Sequence, residues 1–321
     1  MSTENHKKGP RLLLTDREAG VLLERARVRC EGNRLVYDQA EDGTRKVFNI
    51  PYCNVSVLFL GQGTSITQDA MRLLGEEGVF VAFTGTGGAP LHMGALTTYQ
   101  PSEHLRMFAH ICLDDAQRLT AAKKLLLLRL SAFEKIGMKI STTLDESFSE
   151  QSEDIKDLHK DFTQNILSSK NTQELLSKEA LYAKRLYKIF ATKSSLTEKF
   201  VREHSRRKRI TQSDIINSRI DHGNYLAYGF AGAALWVMGI PMSFAILHGK
   251  TRAGGLIFDL ADIYKDSFVL PHAFLSKEHK ESDFREVLIN DFQDHNIIKY
   301  SINSIKTIIS HTISEKEKIV K

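Results

Sequence analysis

Asp259 and Asp262 lie three residues apart in the segment 256–263, which is made of good helix formers. Helical spacing of three places both carboxylates on one face, where like charges repel unless a cation lies between them. Mg²⁺ and Mn²⁺ suit this position because they bind carboxylate oxygens and keep water positions open for a substrate phosphate. Asp266 extends the same face and is a candidate supporting residue. The alternative, an exposed acidic helix edge, fits the apolar neighbours less well.

Glu179 interrupts an apolar stripe on a different predicted helix. Three-and-four spacing places Leu175, Tyr182, Leu186 and Phe190 on the same face as this carboxylate. Burying an unpaired carboxylate costs on the order of several kcal/mol, so Glu179 needs a cation. That cation is either a metal ion or the basic side chain of an ordinary salt bridge, and this feature alone leaves both open.

His248 precedes a Gly-rich loop, 249–255, that leads directly into the helix of the two aspartates. A lone histidine here is more often structural, so its significance comes from its proximity to the aspartate pair. One imidazole beside three carboxylates favours Mn²⁺ over Mg²⁺, because imidazole is the softer ligand. We therefore predict a Mg²⁺ or Mn²⁺ site whose direct ligands are Glu179, His248 and Asp262. Asp259 is predicted to be a fourth catalytic residue, a close carboxylate that ligates the ion or only shapes the site.

Basic residues flank this predicted site on both sides. The segment 199–209 contains six basic residues and one acidic residue. Such side chains neutralise DNA backbone phosphates, whereas a solvated loop is the alternative. The candidate DNA contacts are Lys199, Arg202, Arg206, Arg207, Lys208, Arg209, Lys250 and Arg252.

Composition narrows the class of protein further. The net charge is +5, and the excess lies beyond residue 101, because the first 101 residues hold 11 basic and 11 acidic side chains. This bias is compatible with a polyanionic partner. The 3 cysteines lack Cys-x-x-Cys spacing, and the N-terminus lacks a signal peptide, so we expect a cytoplasmic protein. An uncharged stretch of 25 residues, 223–247, predicts a buried central helix rather than a membrane span.

The elements that position these residues predict an α+β protein of two domains. Residues 1–101 read as short β-rich runs with one helix, 66–76, and residues 102–321 as long amphipathic helices. The predicted strands are 11–14, 27–30, 34–37, 47–51, 55–60 and 79–83. The predicted helical stretches are 103–134, 153–168, 171–190, 211–238, 255–265 and 283–313.

Two further segments need an interpretation. The loop 61–66 between a strand and a helix is compatible with phosphate binding, but Ile66 stands where a dinucleotide fingerprint needs a third glycine. A structural strand-to-helix turn is the alternative. The polar and acidic segment 141–154 predicts a mobile loop.

Taken together, these residues resemble those of a known family, the integrase and endonuclease of CRISPR spacer acquisition, which is the first-numbered CRISPR-associated protein, in its type I-F form. The resemblance covers nearly the whole chain. Its most specific pieces are the segments 60–67, 83–90, 183–187, 221–229 and 248–262. In that family a Glu, a His and an Asp hold the metal and another Asp lies close by. The matching positions here are Glu179, His248, Asp262 and Asp259.

The resemblance implies a function and a set of partners. It implies insertion of short DNA fragments into a CRISPR array, with attack by a 3′-hydroxyl on a repeat phosphodiester. It also implies a homodimer that uses the β-rich domain, and a small ferredoxin-like subunit fused to a helicase-nuclease. Double-stranded and branched DNA are the expected substrates, and no membrane is expected. It assigns the loop 61–66 to the fold of the β-rich domain. The remaining alternatives are a structure-specific nuclease for branched DNA or RNA that does not integrate, and a non-catalytic DNA-binding scaffold.

Overall fold

Strands dominate the first part of the chain and helices the second, so the predicted α+β class is confirmed. The computed structural model describes residues 17, 19–32, 34–41, 44–84, 91–93, 102–194, 196, 199–203, 211–249, 254–277 and 280–320. It divides the chain into two units. One comprises residues 1–86 and 90–99, and the other comprises residues 87–89 and 100–321.

The strand-rich unit contains two four-stranded sheets. The first sheet has the order β1 (Ala19–Leu23), β5 (Val55–Leu60), β7 (Phe80–Phe83) and β8 (Leu91–Met93). The second has the order β4 (Thr44–Ile50), β3 (Arg34–Glu41), β2 (Ala26–Glu31) and β6 (Ser65–Ile66). β5 lies between two parallel neighbours and all six of its residues are buried, as expected of a continuous apolar run in a central parallel strand.

The Gly-rich loop after β5 belongs to this fold. Gly61 N–H donates to the Leu23 carbonyl at 2.7 Å, and Thr64 N–H donates to the Gly61 carbonyl at 3.2 Å. Gly63 adopts a φ of +75°, which favours glycine. Helix α1 (Gln68–Glu76) follows, beginning two residues later than the sequence predicts. Two amides of the loop are thus bonded within the fold, which favours a structural turn over a phosphate site.

The second unit is built from helices whose predicted stretches largely agree with the structure. They are α2 (Glu103–Leu113), α3 (Asp115–Ala132), α4 (Met138–Leu144), α5 (Ser152–Ser168), α6 (Thr172–Lys193), α7 (Gln212–Val237), α8 (Gly255–Asp262), α9 (Lys265–Leu275), α10 (Glu281–Asp294) and α11 (Ile297–Val320). The predicted buried central helix is α7, which begins with a capping box formed by Thr211 and Asp214. Among the described residues, no helix is both long enough and apolar enough to cross a membrane.

The segment 141–154 is a correction, because the prediction of a mobile loop is wrong. α3 continues through a π-helical turn, Phe133–Gly137, into α4, and a 3₁₀ helix, Glu146–Gln151, then leads into α5. Asp145 caps that 3₁₀ helix by accepting a hydrogen bond from Ser147 N–H at 2.9 Å. Phe148 is fully buried with its ring centroid 4.8 Å from that of Phe190. A single buried aromatic residue therefore anchors an otherwise polar stretch.

Candidate active site

Asp259 is fully buried on α8 and faces four donor groups of the turn before that helix. Its Oδ2 accepts hydrogen bonds from the backbone N–H groups of Ile246 at 2.7 Å and Leu247 at 3.0 Å. Its Oδ1 accepts one from His248 N–H at 3.1 Å and lies 2.7 Å from the ring Nδ1 of His248. A carboxylate has about four lone-pair positions, so these contacts occupy both oxygens. Asp259 therefore holds His248 and its turn in place.

The contact between Asp259 and Nδ1 of His248 fixes the tautomer and the orientation of the imidazole ring. An ionised carboxylate only accepts, so it keeps a proton on Nδ1 and leaves the lone pair of the neutral ring on Nε2. Nε2 lies 4.0 Å from Oδ2 of Asp262, and the His248 side chain is 15% exposed. Burial lowers the pKa of His248, but the hydrogen bond to Asp259 and the charges of Asp262 and Glu179 raise it above its ordinary value. The surroundings of Nε2 therefore favour a cation.

Asp262 ends α8 and is almost fully buried. Its Oδ1 contacts the ammonium Nζ of Lys265, at the start of α9. Burial raises the pKa of Asp262, but the nearby charges of Lys265, His248 and Arg129 outweigh burial and lower it. Burial likewise lowers the pKa of Lys265, and the carboxylate of Asp262 outweighs that effect and raises it. Both groups are therefore charged at neutral pH.

Glu179 lies on α6, on the buried face that its spacing predicts, with a side chain 14% exposed. Its Oε1 accepts a hydrogen bond from Nη1 of Arg129 at 2.6 Å. The same guanidinium donates from Nε to Oδ2 of Asp266 at 2.7 Å, and its Nη2 lies 2.6 Å from that oxygen. One cation near Glu179 is thus a basic side chain, as in the salt-bridge alternative. Asp266, which the sequence places on the face of Asp259 and Asp262, is instead bonded to Arg129.

The charges of this cluster do not balance. Among the described residues the cluster holds four carboxylates, those of Glu179, Asp259, Asp262 and Asp266, and two fixed cations, Arg129 and Lys265. With His248 neutral, two negative charges remain, which a divalent cation would neutralise.

The donor set also fits a divalent ion. It consists of one imidazole nitrogen, Nε2 of His248, and two carboxylates, those of Asp262 and Glu179. Arg129 pairs with Oε1 of Glu179, which leaves Oε2 outside that pair. In the part of the chain that the structure describes, no three His, Cys, Asp or Glu side chains already stand in a metal-coordinating arrangement.

The candidate DNA contacts divide into three cases. Lys199 is exposed. Arg202 is held by α7, since Nη1 donates to Oδ1 of Asn217 at 3.0 Å and Nη2 contacts Oδ1 of Asp221. Arg206, Arg207, Lys208, Arg209, Lys250 and Arg252 lie outside the described residues.

Sequence reasoning missed two basic residues of the site, Arg129 and Lys265. A signal for the first is present, because Arg129 interrupts the apolar run 125–130 just as Glu179 interrupts its own stripe. Lys265 lies three residues after Asp262, a spacing that pairs opposite charges at adjoining helix turns.

With this geometry described, comparison with known proteins identifies the family. A family model described as CRISPR associated protein Cas1 matches residues 21–294. The chain belongs to the Cas1 family. The resemblance predicted from the sequence is confirmed at this level, while its type I-F subtype stays a prediction.

Individual Cas1 proteins agree with this assignment. One from Pseudomonas aeruginosa (strain UCBPP-PA14), named CRISPR-associated endonuclease Cas1, is 37% identical over 299 residues, which cover 89% of this chain and 91% of the relative. The crystal structure of a TtCas1-DNA complex matches with a TM-score of 0.65 at 21% identity and covers 91% of both chains. A casposase bound to an integration product matches with a TM-score of 0.62 at 15% identity, over 91% of this chain and 82% of the casposase. At these identities the two structural likenesses show the shared fold.

Proposed function

We propose that this Cas1 protein is a divalent-metal-dependent DNA endonuclease and integrase that inserts short DNA fragments into a CRISPR array. The observation that carries the proposal is the fixed imidazole of His248, whose Nδ1 is held by Asp259 and whose Nε2 lies 4.0 Å from Oδ2 of Asp262. The excess of negative charge around that nitrogen supports a divalent cation. Mg²⁺ and Mn²⁺ both suit the donors.

In this proposal His248, Asp262 and Glu179 would hold the ion. When bound, the ion supplies Lewis-acid stabilisation of the charge that develops on the scissile phosphate. Asp259 keeps the lone pair of His248 Nε2 directed into the site. Lys265 contacts Oδ1 of Asp262 and limits how that carboxylate can turn.

The proposed reaction exchanges one phosphodiester bond for another. The 3′-hydroxyl of the fragment attacks a phosphodiester of the repeat and forms a new P–O bond. The old P–O bond breaks, the attacking hydroxyl loses a proton, and the leaving 3′-oxygen gains one. No covalent intermediate with the protein is needed, and none of the site residues changes its bonding.

DNA binding is the second part of the proposal. We assign phosphate contacts to Lys199, Arg202, Arg206, Arg207, Lys208, Arg209, Lys250 and Arg252. The net charge of +5 and the DNA complex of a protein with the same fold support a polyanionic partner. Because Arg202 is already ion-paired with Asp221, its contribution should be smaller than that of the exposed Lys199.

The proposed assembly is a cytoplasmic homodimer of the type I-F system. Its proposed partner is a small ferredoxin-like subunit fused to a helicase-nuclease. These statements rest on the family resemblance, and the 37% identity to the Pseudomonas relative supports the family from which they follow.

Strand joining on a branched DNA substrate with Mn²⁺ or Mg²⁺ tests the chemistry. We expect His248→Ala and Asp262→Asn to abolish joining, and Asp294→Asn, an exposed carboxylate on α10, to match wild type. Full joining by either site variant would show the site assignment to be wrong. Cleaved but unjoined product from wild type would favour the structure-specific nuclease. DNA binding with no chemistry, unchanged by EDTA, would favour the scaffold.

The salt dependence of DNA affinity tests the basic residues. Serine at positions 206 to 209 should flatten the plot of log affinity against log salt, because each lost phosphate contact removes about 0.9 from the slope. Lys199→Gln should reduce the magnitude of this slope by about 1. An unchanged slope in both variants would show that these side chains are merely solvated.

A further inference from the structure

We infer that Arg129 is a positioning residue of the active site, which fixes the carboxylate of Glu179 in the orientation needed to bind the metal ion. This inference rests on the proposed metal site and adds a residue that contacts neither DNA nor the reacting atoms. Its consequence is that the shape of the guanidinium, and not only its charge, sets the affinity of the site for metal.

The need for such a residue follows from where the ligands lie. His248 and Asp262 are 14 positions apart on one turn and the helix that follows it, so local bonds to Asp259 organise them. Glu179 comes from α6, another part of the chain, and none of those bonds reaches it. Something must tie its carboxylate to the helices that carry the other ligands.

Arg129 makes that connection between three helices. From α3 it donates Nη1 to Glu179 on α6 at 2.6 Å, and Nε to Asp266 on α9 at 2.7 Å. α9 follows α8, which carries Asp262, by two residues. The side chain of Arg129 is only 2% exposed, so solvent does not screen these bonds. Glu179 is thereby fixed relative to the segment that ends at Asp262.

The planar fork of arginine suits this task. Nε and Nη2 both approach Oδ2 of Asp266, while Nη1, on the other side of the fork, reaches Glu179. A lysine ammonium is a single donor atom on a flexible stem and cannot hold two carboxylates at fixed angles. The guanidinium carbon also lies 5.3 Å from the ring centroid of Tyr182, and this packing restricts movement of the guanidinium.

The support continues beyond the guanidinium to the protein surface. The Tyr182 hydroxyl lies 3.3 Å from Nε2 of His159, and Nδ1 of His159 lies 3.0 Å from Oε1 of Glu134. These contacts keep the tyrosine ring in place beneath Arg129. The position of Glu179 is therefore set by an ordered set of contacts rather than by one salt bridge.

Mn²⁺ binding to the full-length protein provides the test. The affinity is measured by the electron paramagnetic resonance signal of free Mn²⁺, which needs no DNA and no turnover. Arg129→Lys keeps the positive charge but replaces the planar guanidinium with a single ammonium donor. We therefore expect Mn²⁺ affinity to fall about 10- to 100-fold, as for other residues that orient a metal ligand. The stability control is Phe292→Leu, a fully buried α10 residue with no part in this cluster, which should melt earlier and bind Mn²⁺ like wild type.

The possible outcomes distinguish a failure of the positioning role of Arg129 from a failure of the proposed metal site. Wild-type or tighter affinity in Arg129→Lys, while Glu179→Gln binds weakly, would overturn the positioning role and leave the metal site standing. Wild-type affinity in both Glu179→Gln and His248→Ala would overturn the metal site. If Arg129→Lys does not fold, Asp266→Asn takes its place. Asp266→Asn removes the carboxylate that pairs with Nε and Nη2 of Arg129, so it should also weaken Mn²⁺ binding. Unchanged Mn²⁺ affinity in Asp266→Asn would overturn the inference.

Discussion

Asp259 bonds both the backbone and the ring of His248, through the same oxygen, at 3.1 and 2.7 Å. One buried carboxylate thus fixes where the histidine backbone lies and how its ring is turned. A residue that the sequence offers as a possible metal ligand thus holds the imidazole of a neighbouring proposed ligand in place.

Asp259→Asn should therefore damage both function and stability. An asparagine side chain offers one acceptor oxygen where the aspartate offers two, so an amide group would face the N–H groups of Ile246 and Leu247. We expect a loss of about 10- to 100-fold in strand joining. The loss of unfolding free energy should be about 1–3 kcal/mol, because buried donors lose their partners. Joining assays and urea denaturation, with Asp294→Asn as control, measure the two effects, and wild-type values in both would contradict this role.

Gly255→Ala tests how tightly the His248 turn packs on α8. A Cβ at position 255 would lie 2.7 Å from Cβ of Ala245 and 3.1 Å from the carbonyl oxygen of His248. The turn must shift to admit it, and misplacing a catalytic group by about 1 Å can cost about 100-fold in rate. Gly249→Ala is the milder comparison, because its Cβ would meet the Ala245 side chain at 3.3 Å instead of 2.7 Å. Equal joining rates for the two variants would show that the turn yields without effect.

Phe148→Ala should destabilise the protein without altering its chemistry. The ring is fully buried, so its removal should cost about 3–5 kcal/mol of unfolding free energy. Leu113→Ala, at a side chain that is 83% exposed, should stay within about 0.5 kcal/mol of wild type. Urea denaturation measures both. A small effect at position 148 would mean that the segment 141–154 is as mobile as its composition suggests.

We expect protonation of His159 to reduce the unfolding free energy of the protein in mild acid. Burial lowers the pKa of His159, and the hydrogen bond to Glu134 offsets this only in part. The unfolded chain therefore binds the proton first, so stability is complete above the unfolded pKa of about 6.5 and falls as the pH drops below it. The unfolding free energy of wild type should fall by up to about 1.4 kcal/mol per pH unit more steeply than that of His159→Gln between about pH 6.5 and 5. Parallel pH profiles would show that His159 does not contribute.

Periodicity was enough to predict most of the helical unit. The face of α6 that carries Glu179 and the burial of α7 both follow from the spacing of apolar residues. The same rule fails for segment 141–154, where one phenylalanine and one capping aspartate outweigh a polar composition. Three strands were not predicted, β1, β6 and β8, and the two-residue β6 is too short a pairing to leave a pattern. The predicted strand 11–14 lies outside the described residues.

The sequence predicts three direct ligands, Glu179, His248 and Asp262, but it leaves open whether Asp259 binds the ion or only shapes the site. Nothing in the spacing of Asp259 and Asp262 shows that one would be enclosed by backbone donors and the other would face Nε2 of His248. That distinction depends on the turn 246–248, whose conformation is set by tertiary packing. Arg129 was missed because its two partners lie 50 and 137 positions away along the chain.

Those same separations affect when the protein becomes active during its synthesis. Arg129 and Glu179 emerge from the ribosome well before the histidine turn, and Asp266 follows only at the start of α9. A nascent or prematurely terminated chain that ends before α8 lacks Asp262 and holds only two of the three proposed ligands. The proposed metal site is therefore complete only once most of the chain has been translated.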